Sequence, residues 1–461
     1  MKPLLDGVER FSLPNGLKVV FYRRSHAPVF SGQIWVKVGG VNEQIGHTGS
    51  AHMLEHMAFK GSETIGTKDY SSERKLLKRL DQLSLNKNLS KQQVKEKEKI
   101  NKQLIKLWKN NEFSRIYEDR GASGLNAATS KDYTYYMVDL PSNAFELWAW
   151  MESDRLVNPV FRQFYEEKEV VTEERRMRSD DDPNGKLYEQ LIATAFLVHP
   201  NRFPVIGWPS DLKNLERAVV KELHDTYYRP DNMVVSIVGD LDLATVKKTM
   251  EKYFSRFHKP KTEIPAILTE EEKQSGTREV VVINKALPRF ALAYHKPVYP
   301  DADDMKFSVL HSILSDGRSS IFYRRLVEGK KMATSVSSSE APGELYPSIF
   351  YVWGSPKKEI GNKKLITEVE TILNELKEKE IPEKDIEAAK KRIRVELLGE
   401  MSSSHGLATT LGHAELLWGD WRKMLDMYDI TFNVKPQDLR ELARKYFTND
   451  NKTVARMENH E

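Results

Sequence analysis

A Pro- and Glu-rich stretch, KPKTEIPAILTEEEKQSG at residues 259–276, divides the 461-residue chain into two segments that read alike. Before it, an Asn15-Gly16 hairpin turn leads into the apolar strand FSGQIWVKVGG, a short helix follows, and alternating strands and helices close on the buried strand NMVVSIVGDLD. After it come the strands REVVVINK and RFALAYHKP, a helix through LHSILSDGRSSIFYRRLVEG, the strands ATSVSSSE and SIFYVWGSP, and helices to the end. A chain this long exceeds what one core absorbs, so two domains are expected. The spacing predicts an α+β protein with an N-terminal domain over 1–258, a linker over 259–276 and a C-terminal domain of similar fold over 277–461. In each, an antiparallel-rich sheet is packed by helices.

The short helix of the first segment carries the chemistry. It contains AHMLEHMAFKGS, residues 51–62, in which His52, Glu55 and His56 fall on one face because residues three and four apart are neighbours on a helix. Two imidazoles at that spacing can share one Zn²⁺, and a carboxylate beside them can deprotonate a water without binding the metal. The alternative is a pair of incidental histidines on a surface helix. The chain has no cysteine, so thiolate ligands, thiol catalysis and disulfides are excluded, and any metal rests on His, Asp or Glu.

A third ligand is sought in FYEEKEVVTEERRM. Read as a helix, its apolar stripe runs through Phe164, Val170, Val171 and Met177, and Glu167 and Glu174 lie on that stripe seven residues apart, nearly eclipsed. A carboxylate there needs a partner. A metal supplies one for Glu174, and Glu167 can orient a histidine from behind; pairing with Arg or Lys from elsewhere is the other possibility.

Residues 71–118 interrupt the pattern with thirteen Lys or Arg against six acids, a net of +7 in a chain of net +4. The body is thus close to neutral and offers no basic footprint for nucleic acid. Leucines at 76, 80 and 83, then Ile100, Leu104 and Leu107, with a capping box at Ser90 and Gln93, predict an inserted, solvated helical hairpin. The alternative is an arm that binds an acidic partner. No run of 18 apolar residues marks a membrane span. MKPLLDGVERFSLPNG lacks the apolar region of a secretory signal, but a processed chain restarted with Met would look the same, so the compartment is open: cytoplasm for the chain as given, periplasm if a signal was removed.

These residues together resemble the pitrilysin, insulysin and mitochondrial processing peptidase family of inverted-motif (HxxEH) zinc peptidases. GSAHMLEHMAFKGS is similar to the family's motif segment, GLNAATSKDYTYY to its edge strand and EKEVVTEERRM to its Glu-x6-Glu helix; HPNRFPVIGWPSDL and YYRPDNMVVSIVGDLD look like further family segments. The resemblance implies Zn²⁺ on His52, His56 and Glu174, Glu55 as general base, Glu167 in support, and Asn126 and Ala127 binding substrate backbone. It implies one half of a clam shell whose two halves enclose a chamber for peptides or unfolded segments. Relatives carry an Arg and, seven residues on, a Tyr that clamp the substrate; the matching places here hold Val327 and Thr334. A zinc endopeptidase is therefore expected to be the catalytic subunit of a heterodimer whose related partner supplies the clamp, or else a homodimer. The rival readings are a non-catalytic structural subunit of the same fold and a partner-binding protein acting through the basic hairpin.

Overall fold

The structure is a computed structural model and describes residues 5–86 and 88–459. It contains two compact units. The first holds a six-stranded sheet built from β1 (Glu9–Ser12), β2 (Lys18–Arg23), β3 (Val29–Val36), β4 (Ser123–Thr129), β5 (Thr134–Pro141) and β6 (Met233–Gly239), in the order β1-β2-β6-β3-β5-β4. The second holds β7 (Arg278–Ile283), β8 (Arg289–Lys296), β9 (Ala333–Ala341), β10 (Ser348–Pro356) and β11 (Lys452–Glu458), in the order β7-β11-β8-β10-β9.

With β1 set aside, the two sheets have one topology. The first strand pairs parallel with the last, β2 with β6 and β7 with β11, and every other pairing is antiparallel. The second and last strands, β3 with β6 and β8 with β11, form the centre, and the third, β4 or β9, forms an edge. The two-fold repetition of strand and helix order in the sequence is thus a repetition of architecture. One strand escaped the sequence reading, which takes the chain to its end as helix: KTVARME forms β11, between β7 and β8. Its charged residues at 452, 456 and 458 hide a strand whose partner β7 lies far back in the chain, so no local period announces it.

The units are interleaved in sequence. Residues 174–204 pack with the second unit and 401–421 with the first, in contrast to a contiguous division at 259–276. In the first unit Phe30 and Ile34 of β3 face a core that includes Trp148, and Gly32 between them lets the indole lie against the strand, where a Cβ would come within 2.5 Å of it. The opposite face carries Gln33, Trp35 and Ser236, which meet the helix Ser404–Trp418: Gln33 donates to Thr409 Oγ1 at 3.0 Å, and Ser236 to the Ala408 carbonyl at 2.7 Å. In the second unit the helix Pro183–Ala195 sets Leu187, Leu191 and Ile192 against Ala291, Ala455 and Met457. Each such leucine contributes about 1.5–3 kcal/mol by leaving water.

The inserted segment is the helical hairpin expected, with helices Tyr70–Ser84 and Lys91–Leu107 and the Ser90–Gln93 capping box formed. Its buried side is Leu77, Leu80, Leu83, Ile100 and Leu104, closed by Trp108 and Val160; Leu76 is only partly buried.

Candidate metal centre

The motif helix, Ser50–Met57, starts where the chain leaves Gly49 at φ +88°, a value that suits glycine, and where a Cβ would come within 2.9 Å of the Ile206 carbonyl. A helix of eight residues gains little from propensity alone. Its first N–H groups are met by a buried carboxylate: Gly49 donates to Glu43 Oε2 at 2.8 Å and Ala51 to Oε1 at 2.7 Å. Burial pushes the Glu43 carboxyl up to about 8 and pulls the nearby buried Lys131 down to about 8.

On this helix the rings of His52 and His56 stand with centroids 4.7 Å apart and planes at 75°. His52 and Glu55 are buried and His56 is partly exposed. The second element is the helix Phe164–Arg175, which continues into a π-helical turn at Arg176–Asp180. Glu167 on it accepts from His56 Nδ1 at 2.9 Å and from Lys60 Nζ at 2.5 Å. Burial raises the Glu167 carboxyl, but these two hydrogen bonds outweigh it and hold the group below the usual range. Glu174 lies two turns on, one residue past the division between the units but on the same continuous helix. One ligand atom each of His52, His56 and Glu174 lie within 4.8 Å of one another, which side-chain rotation can bring onto a shared ion. Glu174 also meets Arg178 at 3.1 Å.

The expected apolar stripe needs correction. Phe164 and Val171 are buried, but Val170 and Met177 are exposed. Glu167 and Glu174 are half-buried, and the inward side of the third turn is taken by Arg175, which is buried and paired with Glu189, before the helix winds into its π turn near Met177. Glu166, Glu169 and Glu173 are exposed, as the spacing predicts.

Asn126 and Ala127 lie on β4, the outermost strand, opposite Met137 and Tyr136 of β5. Asn126 is exposed, and its side-chain oxygen accepts from the Ala127 N–H at 2.9 Å. Two residues further on, Thr129 donates to Glu55 Oε2 at 2.5 Å, and Thr134 Oγ1 stands 3.3 Å from Thr129 Oγ1 and 2.9 Å from the Val38 carbonyl. Thr129 lies within GLNAATS and has no role in the sequence-based expectation. A hydroxyl three residues beyond Asn126 on a strand beside the motif helix was the signal available. Glu43 and Lys60 were missed as well, since contacts that join separate elements leave no period in the sequence.

In the second unit Val327 packs against the core, and Thr334 is exposed at the start of β9 with its hydroxyl donating to the Ser355 carbonyl at 3.1 Å. Arg325 is held bidentately by Glu375 at 2.8 and 3.0 Å. Among the described residues no helix is long and apolar enough to cross a membrane.

Two imidazoles and a carboxylate thus converge beside a second, hydroxyl-bound carboxylate on a repeated α/β fold, a donor set that could hold a metal ion. Residues 18–93 match the family model described as insulinase (peptidase family M16), and residues 214–393 match the one described as the peptidase M16 inactive domain. The chain belongs to this peptidase family, the one that contains pitrilysin. It is 28% identical to the zinc protease PqqE of Helicobacter pylori over 97% of this chain and 91% of that protein. It is 23% identical to the uncharacterized zinc protease YmxG of Bacillus subtilis over 96% of each. A crystal structure of a protease from Helicobacter pylori superposes with a TM-score of 0.84 at 26% identity, covering 98% of this chain and 99% of that one.

Proposed function

We propose that this chain is a zinc-dependent endopeptidase that cleaves peptides or unfolded segments, with Zn²⁺ held by His52, His56 and Glu174. The observation that carries the reading is the approach of those three ligand atoms to within 4.8 Å beside Glu55. The donor set fits the ion: two imidazoles and one carboxylate are an ordinary zinc complement that leaves a position open. With His56 Nδ1 donating to Glu167, the lone pair falls on Nε2, the atom that would bind. When bound, Zn²⁺ supplies Lewis-acid activation of a water and of the scissile carbonyl.

The remaining steps belong to the chain's own residues. Glu55, oriented by Thr129, takes the proton of the attacking water and returns it to the leaving amine. The β4 edge at Asn126 and Ala127 offers backbone groups to an extended peptide, a pairing that reads strand geometry more than side chains. The match described as an inactive domain, 214–393, contains none of these residues, which supports placing the chemistry in 1–258 and a scaffolding role in 277–461.

A related partner subunit, or a second copy, is the proposed source of the substrate clamp. In its support, Val327 and Thr334 carry no cationic or phenolic group, and Arg325 is committed to Glu375.

The test is zinc stoichiometry together with peptide hydrolysis, measured with and without chelator, for the wild-type chain and Glu55→Gln. The variant is expected to bind zinc normally with kcat lower by about 10²- to 10⁴-fold. Retained turnover in E55Q sinks the assignment of the base, and a wild-type chain that binds zinc but cleaves nothing, alone or with its native partner, favours the non-catalytic subunit.

A further inference from the structure

The basic hairpin takes no part in the proposed chemistry, yet its first helix is joined to the candidate metal centre by a relay of contacts. Glu73 is buried in that helix and paired with Arg162, Nε to Oε1 at 2.9 Å and Nη2 to Oε2 at 3.0 Å, and Trp108 Nε1 donates to the same carboxylate at 2.9 Å. The Arg162 guanidinium then spends its other donors on the loop after the motif helix: the Lys60 carbonyl at 2.6 Å, Ile65 at 2.8 Å and Ser62 at 2.8 Å. From that fixed backbone the Lys60 side chain reaches Glu167 Oε2 at 2.5 Å, while Glu167 Oε1 holds His56 Nδ1 at 2.9 Å.

A carboxylate bound at one oxygen only can turn about its last bond, and a histidine tied to it turns with it. The second contact removes that freedom. It is also well placed to matter, because the Lys60 and Glu167 side chains are 21% and 14% exposed, unlike the freely hydrated pairs that contribute almost nothing. The buried pair at the hairpin's base fixes the loop in turn, since a guanidinium with five donors in a rigid fork can satisfy a carboxylate and several carbonyls at once.

We propose that Lys60 is a positioning residue of the metal centre: it locks Glu167 so that His56 presents Nε2 to the ion, and the Glu73–Arg162 pair of the inserted hairpin sets where Lys60 stands. The hairpin is on this account part of the scaffold of the site. The proposal rests on the zinc reading above.

The experiment is competition for zinc against a chromophoric chelator with full-length wild type, Lys60→Met and Lys60→Arg, alongside the thermal midpoint of each metal-free protein. K60M is expected to bind zinc about 10- to 100-fold more weakly, with the metal-free midpoint unchanged, and K60R to recover most of the loss. Glu73→Gln leaves Arg162 buried without its counter-charge and can fail to fold, so K60M carries the test. Affinity of K60M within about twofold of wild type overturns the inference alone, as does a K60R as weak as K60M. A wild-type chain that binds no zinc overturns the peptidase reading and this inference with it.

Discussion

Glu55 takes its orientation from a residue on another element. Thr129, the last residue of β4, donates to it on the motif helix, and a hydrogen bond to a charged group is worth about 1.5–3 kcal/mol. Thr129→Val keeps the shape of the side chain and removes the donor. The expected outcome is an unchanged zinc affinity with kcat lower by about tenfold, read from steady-state kinetics beside chelator competition. Equal losses in zinc affinity and kcat would instead mean that the variant disturbs the motif helix. At this scale the sequence was informative about side chains on the two helices and blind to those that reach them from elsewhere. His52, Glu55, His56, Glu167 and Glu174 stand out because helical spacing puts them on shared faces. Thr129, Lys60 and Glu43 reach the site from outside the helical face that made the others visible, and no helical period finds them.

Among the elements, the charged hairpin was legible in kind and misread in detail. Its capping box formed where Ser90 and Gln93 predict, yet Leu77 rather than Leu76 enters the core, because which side of an amphipathic helix turns inward depends on what it packs against. In the second unit the helix Ala302–Ser315 is tied to the helix Pro436–Tyr446 through Asp303, which accepts from Lys445 at 2.7 Å and from Tyr446 at 3.0 Å, and on its own helix from Lys306 at 2.8 Å. Burial raises this carboxyl, but the three donors outweigh it and hold it at about 2, against 3.8 for the free group. A depressed carboxylate stabilises the fold above its unfolded value, and that stability is lost as pH falls through its folded value. Asp303→Asn is therefore expected to melt below wild type at neutral pH, with the gap closing between about pH 4 and about pH 2. A gap that stays constant over that range, followed by thermal unfolding, contradicts the assignment.

For the whole molecule, the exchange of segments between the units has a mechanical consequence. Gly412, on the helix Ser404–Trp418, lies so close to Trp35 of β3 that a Cβ would stand 2.3 Å from the indole nitrogen and 3.0 Å from Ser236 Cβ. Gly412→Ala is expected to cost about 1–3 kcal/mol through overpacking, although alanine favours helix, and to appear as a lower urea midpoint. A stabilised variant would show that the helix can shift away from the sheet. The sequence by itself determined the α+β class, the repeated strand and helix order and the residues proposed for the metal centre, because each is written in local periods of two or 3.6 residues. Only the tertiary structure decided that 174–204 and 401–421 change units, that β11 enters the second sheet and that Thr129 and Lys60 meet Glu55 and Glu167. Those facts depend on which distant surfaces bury one another and satisfy one another's polar groups, and no local period carries that information.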